Sequence, residues 1–192
     1  DAMNGFQKRA MDLLTSKETQ QAFRISEEPA KLRDAYGRNI YGQSTLLARR
    51  LIEAGTRMVT LSWAPDANAT WDTHGQNFKK LKGTLLPQFD AACSSLIDDL
   101  IDRNMLDRTL LAVMGDFGRT PKVNKDAGRD HWPRANSMVF AGGGMETGQV
   151  IGATDPRGED PVRRRVSPYD FLATIYHHLG IDTRHTALTD FG

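Results

Sequence analysis

The chain has a single cysteine among its 192 residues, Cys93, which excludes an internal disulfide. Neither sign of charge is in surplus: 25 Lys and Arg face 24 Asp and Glu, a formal net charge of +1. That balance argues against nucleic acid as the main partner, because binding to phosphates rests on a clustered basic surface. No apolar run approaches the ~18 residues of a membrane span. No internal repeat and no low-complexity segment interrupt the sequence. No signal-peptide pattern opens it, and residue 1 is Asp, so the chain reads as a processed or excised piece. With 39% hydrophobic and 26% charged residues, what remains is a globular chain long enough to bury one sizeable core.

Residues 1–36 are polar, with apolar positions at Phe6, Met11, Leu13, Leu14 and Phe23, and they read as a helical excursion or cap interrupted at Pro29. The stretch 44–55 (STLLARRLIEAG) predicts a helix capped by Ser44, striped by Leu46, Leu47, Leu51 and Ile52, and stopped by Gly55. The β-branched run 57–63 (RMVTLSW) then predicts a buried strand. A long helix is expected over 85–106, with Leu86, Phe89, Cys93, Leu96, Ile97, Leu100 and Ile101 on one stripe and Asp98, Asp99 and Asp102 opposite. Cys93 on that stripe reads as an inert core residue. Further strands are expected at 107–118, buried on both faces, and at 137–144, and a closing helix at 168–180. This order predicts an α/β domain whose chemistry collects in loops past the strand ends.

Those loops carry the polar singletons. Asp72 and His74, two residues apart in TWDTHGQN (70–77), offer mixed oxygen and nitrogen ligation of the kind that suits Zn²⁺ or Mn²⁺. A capping Asp beside a hydrogen-bonded His is the plainer alternative. In GDFGRTP (115–121), Asp116 follows a strand where a buried carboxylate would need a cation, an arginine or several N–H donors, and Arg119 offers a planar fork for phosphate or sulfate oxygens. An Asp116–Arg119 ion pair that only shapes a turn is the alternative. The letters DFG do not make a kinase, because the glycine-rich loop, the paired lysine and the H-R-D segment are missing. In GRDHWP (128–133), His131 is a candidate third ligand, with Asp130 orienting its ring or Trp132 walling the pocket. His177 and His178 stand about 100° apart around a helix and are not expected to face one site. His185 carries no argument, and no hydroxyl sits in a nucleophile-elbow pattern.

Five ordered stretches, YGRNIYGQSTLLARRLIEAGTRMVTL, WDTHGQN, LDRTLLAVMGDFGRTPKVN, GRDHWPRANSMVFAGGG and SPYDFLATIYHHLGID, resemble the bacterial family called domain of unknown function 1501 over about residues 36–192. The family is grouped with the alkaline phosphatase/sulfatase-like superfamily. The resemblance implies a central, mostly parallel sheet flanked by helices, with residues 37–192 as the C-terminal part of an alkaline-phosphatase-like domain lacking its N-terminal half. It implies a metal-dependent hydrolase of phosphate or sulfate esters, with Asp72, His74, Asp116 and His131 as ligands of Zn²⁺ or Mn²⁺ (Ca²⁺ is a third candidate). Arg119 and Arg129 resemble an anion clamp for a small anionic ester substrate. Phe117 stands where two-metal phosphatases commonly have His, which puts a two-metal site in doubt, and the nucleophile is expected upstream of this chain. A non-catalytic binding or scaffold protein on the same fold is the alternative, so the chain alone is not assigned as an enzyme. Family members often carry export signals, which implies a periplasmic or secreted location. Oligomeric state is not legible in the sequence.

Overall fold

The computed structural model describes residues 2–63 and 71–184. They divide into two units: residues 1–72 with 79–100, and residues 73–78 with 101–192.

The first unit is helical. It opens with α1 (Ala2–Thr15), α2 (Lys17–Ala22) and α3 (Ala30–Tyr36), followed by α4 (Ile40–Glu53). The helical run is interrupted at Pro29, which follows the 3₁₀ turn Ile25–Glu27 and stands at the N-cap of α3. Phe6, Met11, Leu14 and Phe23 are exposed, and the side chain of Leu13 lies outside the described residues. The cap of α4 is Asn39 rather than Ser44: its Oδ1 accepts the N–H groups of Tyr41 at 3.1 Å and Gly42 at 3.0 Å. The helix starts earlier than its apolar stripe suggests because Asn39 satisfies the orphan donors of the first turn. Gly42 is demanded by a close approach, since a Cβ there would lie 2.0 Å from the carbonyl oxygen of Tyr36. Gly55 ends the helix as expected, with φ +100°. Residues 57–63 do not form the expected strand. They carry no ladder, because strand pairing needs a partner that the local β-branched run cannot supply. Trp63 instead stacks on Tyr41 at 4.6 Å and meets Phe89 edge-on at 5.9 Å. Phe89 lies in the long helix α6 (Leu86–Asp102), preceded by the single turn α5 (Asn77–Lys80) and a π-helical turn, Leu81–Leu85.

Asp99 is not on a solvent face, as the helical stripe suggests, but buried. Its partner is Arg49 of α4, also fully buried, whose Nε lies 2.7 Å from Asp99 Oδ2. Arg49 also pairs with Glu28 at 2.7 Å and Glu53 at 2.6 Å, and Tyr36 donates its hydroxyl to Asp99 at 3.0 Å. Buried charges persist only when paired in this way. Leu46 and Leu100 supply the apolar part of the same core, each worth about 1.5–3 kcal/mol of burial.

In the second unit the expected central parallel sheet is absent among the described residues. Three two-stranded antiparallel ladders stand in its place: β1 (Leu110–Val113) with β4 (Val139–Gly142), β2 (Gly118–Arg119) with β3 (His131–Trp132), and β5 (Ala153–Thr154) with β6 (Pro161–Arg163). A parallel pair needs a crossover, usually a helix. The chain between β1 and β4 instead holds the β2–β3 ladder, so β4 returns antiparallel. β1 is half-buried rather than covered on both faces. The final helix α7 (Pro168–His178) opens with a reciprocal capping box: Ser167 Oγ accepts the N–H of Asp170 at 3.2 Å, and Asp170 accepts the N–H of Ser167 at 2.8 Å. Buried Phe171 meets Phe140 of β4 at 5.4 Å, seating α7 against the β1–β4 ladder.

Candidate functional site

The second unit brings together two segments that are far apart in sequence. Residues 73–78 lie along residues 124–129 through backbone bonds from Gln76 to Asp126 at 2.9 Å, from Asn77 to Ala127 at 2.9 Å, and from Arg129 to Thr73 at 3.1 Å. Thr73 is buried, its hydroxyl donating to Asn77 Oδ1 at 2.5 Å. Asn124 organises the turn. Its amide donates to His74 O at 2.9 Å and Asp130 Oδ1 at 3.0 Å, and its carbonyl accepts from Asp126 at 3.0 Å and Gly128 at 2.9 Å. All four hydrogen-bonding positions of that side chain are thereby used. Gly128 passes so near the turn that a Cβ would lie 1.8 Å from His74 O. Two non-glycine residues here, Gln76 (φ +52°) and Ala127 (φ +55°), are held in the left-handed region, a strain that clusters at functional sites.

The result is a line of three side chains. Asp130 Oδ1 lies 3.0 Å from His74 Nδ1, and His74 Nε2 lies 3.0 Å from His131 Nε2. The hydrogen bond from His74, helped by that from Asn124, holds the Asp130 carboxyl below its ordinary range. An ionised carboxylate only accepts, so Nδ1 of His74 is the donor to Asp130, and Nε2 of His74 is the ring nitrogen that faces His131. Asp130 therefore orients His74, not the ring of His131 as its position in the sequence suggests. The His131 ring rests on Phe117, with centroids 4.1 Å apart. Trp132 does not wall this pair; its Nε1 donates to Glu159 O at 2.7 Å.

Arg119 sits directly opposite His131 in the β2–β3 ladder. Opposed residues in an antiparallel ladder project from the same face, so the arginine and the imidazole are neighbours. Arg119 Nη1 donates to Arg129 O at 3.2 Å, and Arg129 Nη1 donates to Thr120 O at 2.9 Å. Both arginines line a cleft of about 430 Å³. Asp72 is exposed, and one of its carboxylate oxygens and one ring nitrogen each of His74 and His131 lie within 4.8 Å of one another. Asp116 is exposed on the turn beyond β1 rather than buried at its end, and its carboxylate accepts the N–H of Phe117 at 3.0 Å. His177 and His178 both border a second cleft, beside Leu110, Gly143 and Met145, because residues 100° apart can straddle one rim. Cys93 is half-buried, and burial pushes its thiol pKa up, as an inert residue requires. His185 lies outside the described residues.

Sequence reasoning missed Asn124 and also Arg157, which lines the same cleft as Arg119 and Arg129. The first had a signal, since the run NKDAG (124–128) holds Asn, Asp and Gly, the residues that favour turns. The second had none, because its place depends on a hairpin formed far from the histidines in sequence.

A family model described as "Protein of unknown function (DUF1501)" matches residues 1–192. No curated protein matches the chain, and no solved structure does.

Proposed function

This chain belongs to the DUF1501 family of proteins of unknown function, and we propose that it is the C-terminal part of a metal-dependent hydrolase of phosphate or sulfate esters. The observation that carries the reading is the line Asp130–His74–His131. Two imidazole ligands on a tetrahedral Zn²⁺ at about 2.0–2.1 Å have their nitrogens about 3.3 Å apart. The observed 3.0 Å between His74 Nε2 and His131 Nε2 is within a few tenths of that spacing. A carboxylate behind the other ring nitrogen is the usual companion of a metal-binding histidine. The donor set thus fits a borderline cation, Zn²⁺ or Mn²⁺, and Asp72, two residues upstream of His74, is the carboxylate that would complete it.

Bound there, such a cation supplies Lewis acidity to a water molecule and to an ester oxygen. His74 and His131 hold the site, Asp130 fixes the tautomer of His74, and Arg119 and Arg129 bind and orient the anionic group beside it. The link to the alkaline phosphatase/sulfatase-like superfamily, and with it a periplasmic or secreted location, rests on the order of the motifs, since the described residues hold no central parallel sheet.

The test is hydrolysis of p-nitrophenyl phosphate and p-nitrophenyl sulfate by the Zn²⁺- or Mn²⁺-loaded full-length protein of which this chain is proposed to be the C-terminal part, against its His74→Ala, His131→Ala variant. The reading predicts metal-dependent turnover of at least one ester, abolished in the variant. Metal bound through the histidines with neither ester cleaved would favour a non-catalytic binding protein instead.

A further inference from the structure

The cleft beside the histidine pair is lined by three arginines, Arg119, Arg129 and Arg157, with Asp155 as the only carboxylate among its lining residues. Arg157 comes from the turn between β5 and β6. That turn is built tightly: Asp155 N–H donates to Asp160 O at 2.9 Å, Gly158 N–H to Asp155 O at 3.0 Å, and Glu159 N–H to the Asp155 carboxylate at 2.8 Å. It is also pinned to the chain around β3. Trp132 Nε1 donates to Glu159 O at 2.7 Å, and Arg134 Nε donates to Asp160 Oδ1 at 2.8 Å. The hairpin is therefore held where Arg157 joins the two arginines that bond to each other's strand.

Three guanidinium groups lining one cleft raise the positive potential there and favour the entry of an anion. Asp155 does not serve as that ligand, because its carboxylate is committed to the turn. Arg157 reaches Glu159 at 3.2 Å, but the arginine itself is largely exposed, and pairs open to solvent contribute little and exchange readily. Arg157 can leave Glu159 for a better acceptor.

We propose that this cleft binds a tetrahedral oxyanion, the phosphate or sulfate group of the substrate, and that Arg157 closes on it as a specificity-determining arm opposite Arg119 and Arg129. The inference rests on the hydrolase reading for the substrate's identity. Its own claim, that an oxyanion binds to these three arginines, does not require a metal.

The experiment is a calorimetric titration of inorganic phosphate and, separately, sulfate into the 192-residue chain with a chelator present and chloride held constant. Saturable binding of one anion per chain is expected, about tenfold weaker in Arg157→Gln, as the loss of one charged hydrogen bond requires. Arg165→Gln, an exposed arginine outside the cleft, should match the wild type. Binding of phosphate over sulfate, or the reverse, identifies the ester class. The proposal is overturned if neither anion saturates, if added chloride competes as well as either, or if Arg165→Gln weakens binding as much as Arg157→Gln. Because Arg157 is 77% exposed, its replacement removes no packing and the variant folds. Anion binding by a wild-type chain that takes up neither Zn²⁺ nor Mn²⁺ after reconstitution would sink the hydrolase reading while leaving this inference standing. Metal binding without anion binding would do the opposite.

Discussion

Replacing Gly128 by alanine would place a methyl group 1.8 Å from the carbonyl oxygen of His74, 2.1 Å from its carbonyl carbon and 2.6 Å from the nitrogen of Gly75. All three are backbone atoms, so no side chain can swing aside. Ordinary contact begins near 3.4 Å, and the segment 124–129 must retreat by the difference. Metal–ligand distances tolerate only ~0.2 Å, so a retreat of that size dismantles the His74–His131 pair. It also breaks the backbone bonds from Gln76, Asn77 and Arg129 that lash the two segments together. At roughly 1 kcal/mol each, their loss destabilises the second unit by about 3 kcal/mol. Urea unfolding measures that loss, and competition with a chromophoric chelator measures Zn²⁺ affinity, which should fall at least ~10-fold, as for loss of a supporting residue. Gly75→Ala is the control, because a Cβ there meets only Asp126 O at 3.7 Å. A Gly128→Ala protein with wild-type stability and wild-type Zn²⁺ affinity would refute the reasoning.

Arg49→Met should cost about 3–5 kcal/mol in chemical unfolding, because it strands the buried Asp99 and Glu28 carboxylates without their guanidinium; a loss below ~1 kcal/mol would mean the charges relax elsewhere. Acid should destabilise the protein through Glu28. Burial pushes that carboxyl up, but hydrogen bonds from Arg49 and Arg50 outweigh it and leave the pKa below its ordinary 4.5. A depressed folded pKa means that the stabilisation is complete above the unfolded value and is lost as pH falls through the folded one. Thermal unfolding from pH 6 down to pH ~3 should therefore show a decline starting near pH ~4.5, shallower in Glu28→Gln but still present, because Asp155, Asp170 and Asp182 are lowered too. An identical slope in the variant would contradict the assignment.

Local signals in the sequence carried the helices well. Residues 44–55, 85–106 and 168–180 repeat apolar residues at helical spacing, and α4, α6 and α7 lie over them. Strand pairing was less legible, since a ladder depends on a distant partner: 57–63 has strand composition and no ladder, and β1 and β4 pair antiparallel for want of a crossover helix. The same asymmetry marks the site. His74 and His131 drew notice as polar singletons in loops, and the structure places their rings together. Arg119 and Arg129 line one cleft. Asp116 looked like a strand-end carboxylate only while β1 was assumed to run on to it; the strand stops at Val113 and the turn carries Asp116 into solvent. Asp99 looked solvent-facing because helical periodicity ignores its partner, and Arg49 on another helix makes its burial tolerable.

The most direct test of the central claim is the metal content of the purified protein by mass spectrometry, before and after reconstitution with Zn²⁺ and Mn²⁺, beside the His74→Ala, His131→Ala variant. Unlike Gly128→Ala, this variant removes exposed side chains and leaves the backbone lashing intact. The account predicts one equivalent of metal in the wild type and none in the variant. Equal metal in both proteins, or none in either after reconstitution, would contradict a cation held between His74 and His131 and leave the Asp130–His74–His131 line as a structural hydrogen-bond chain.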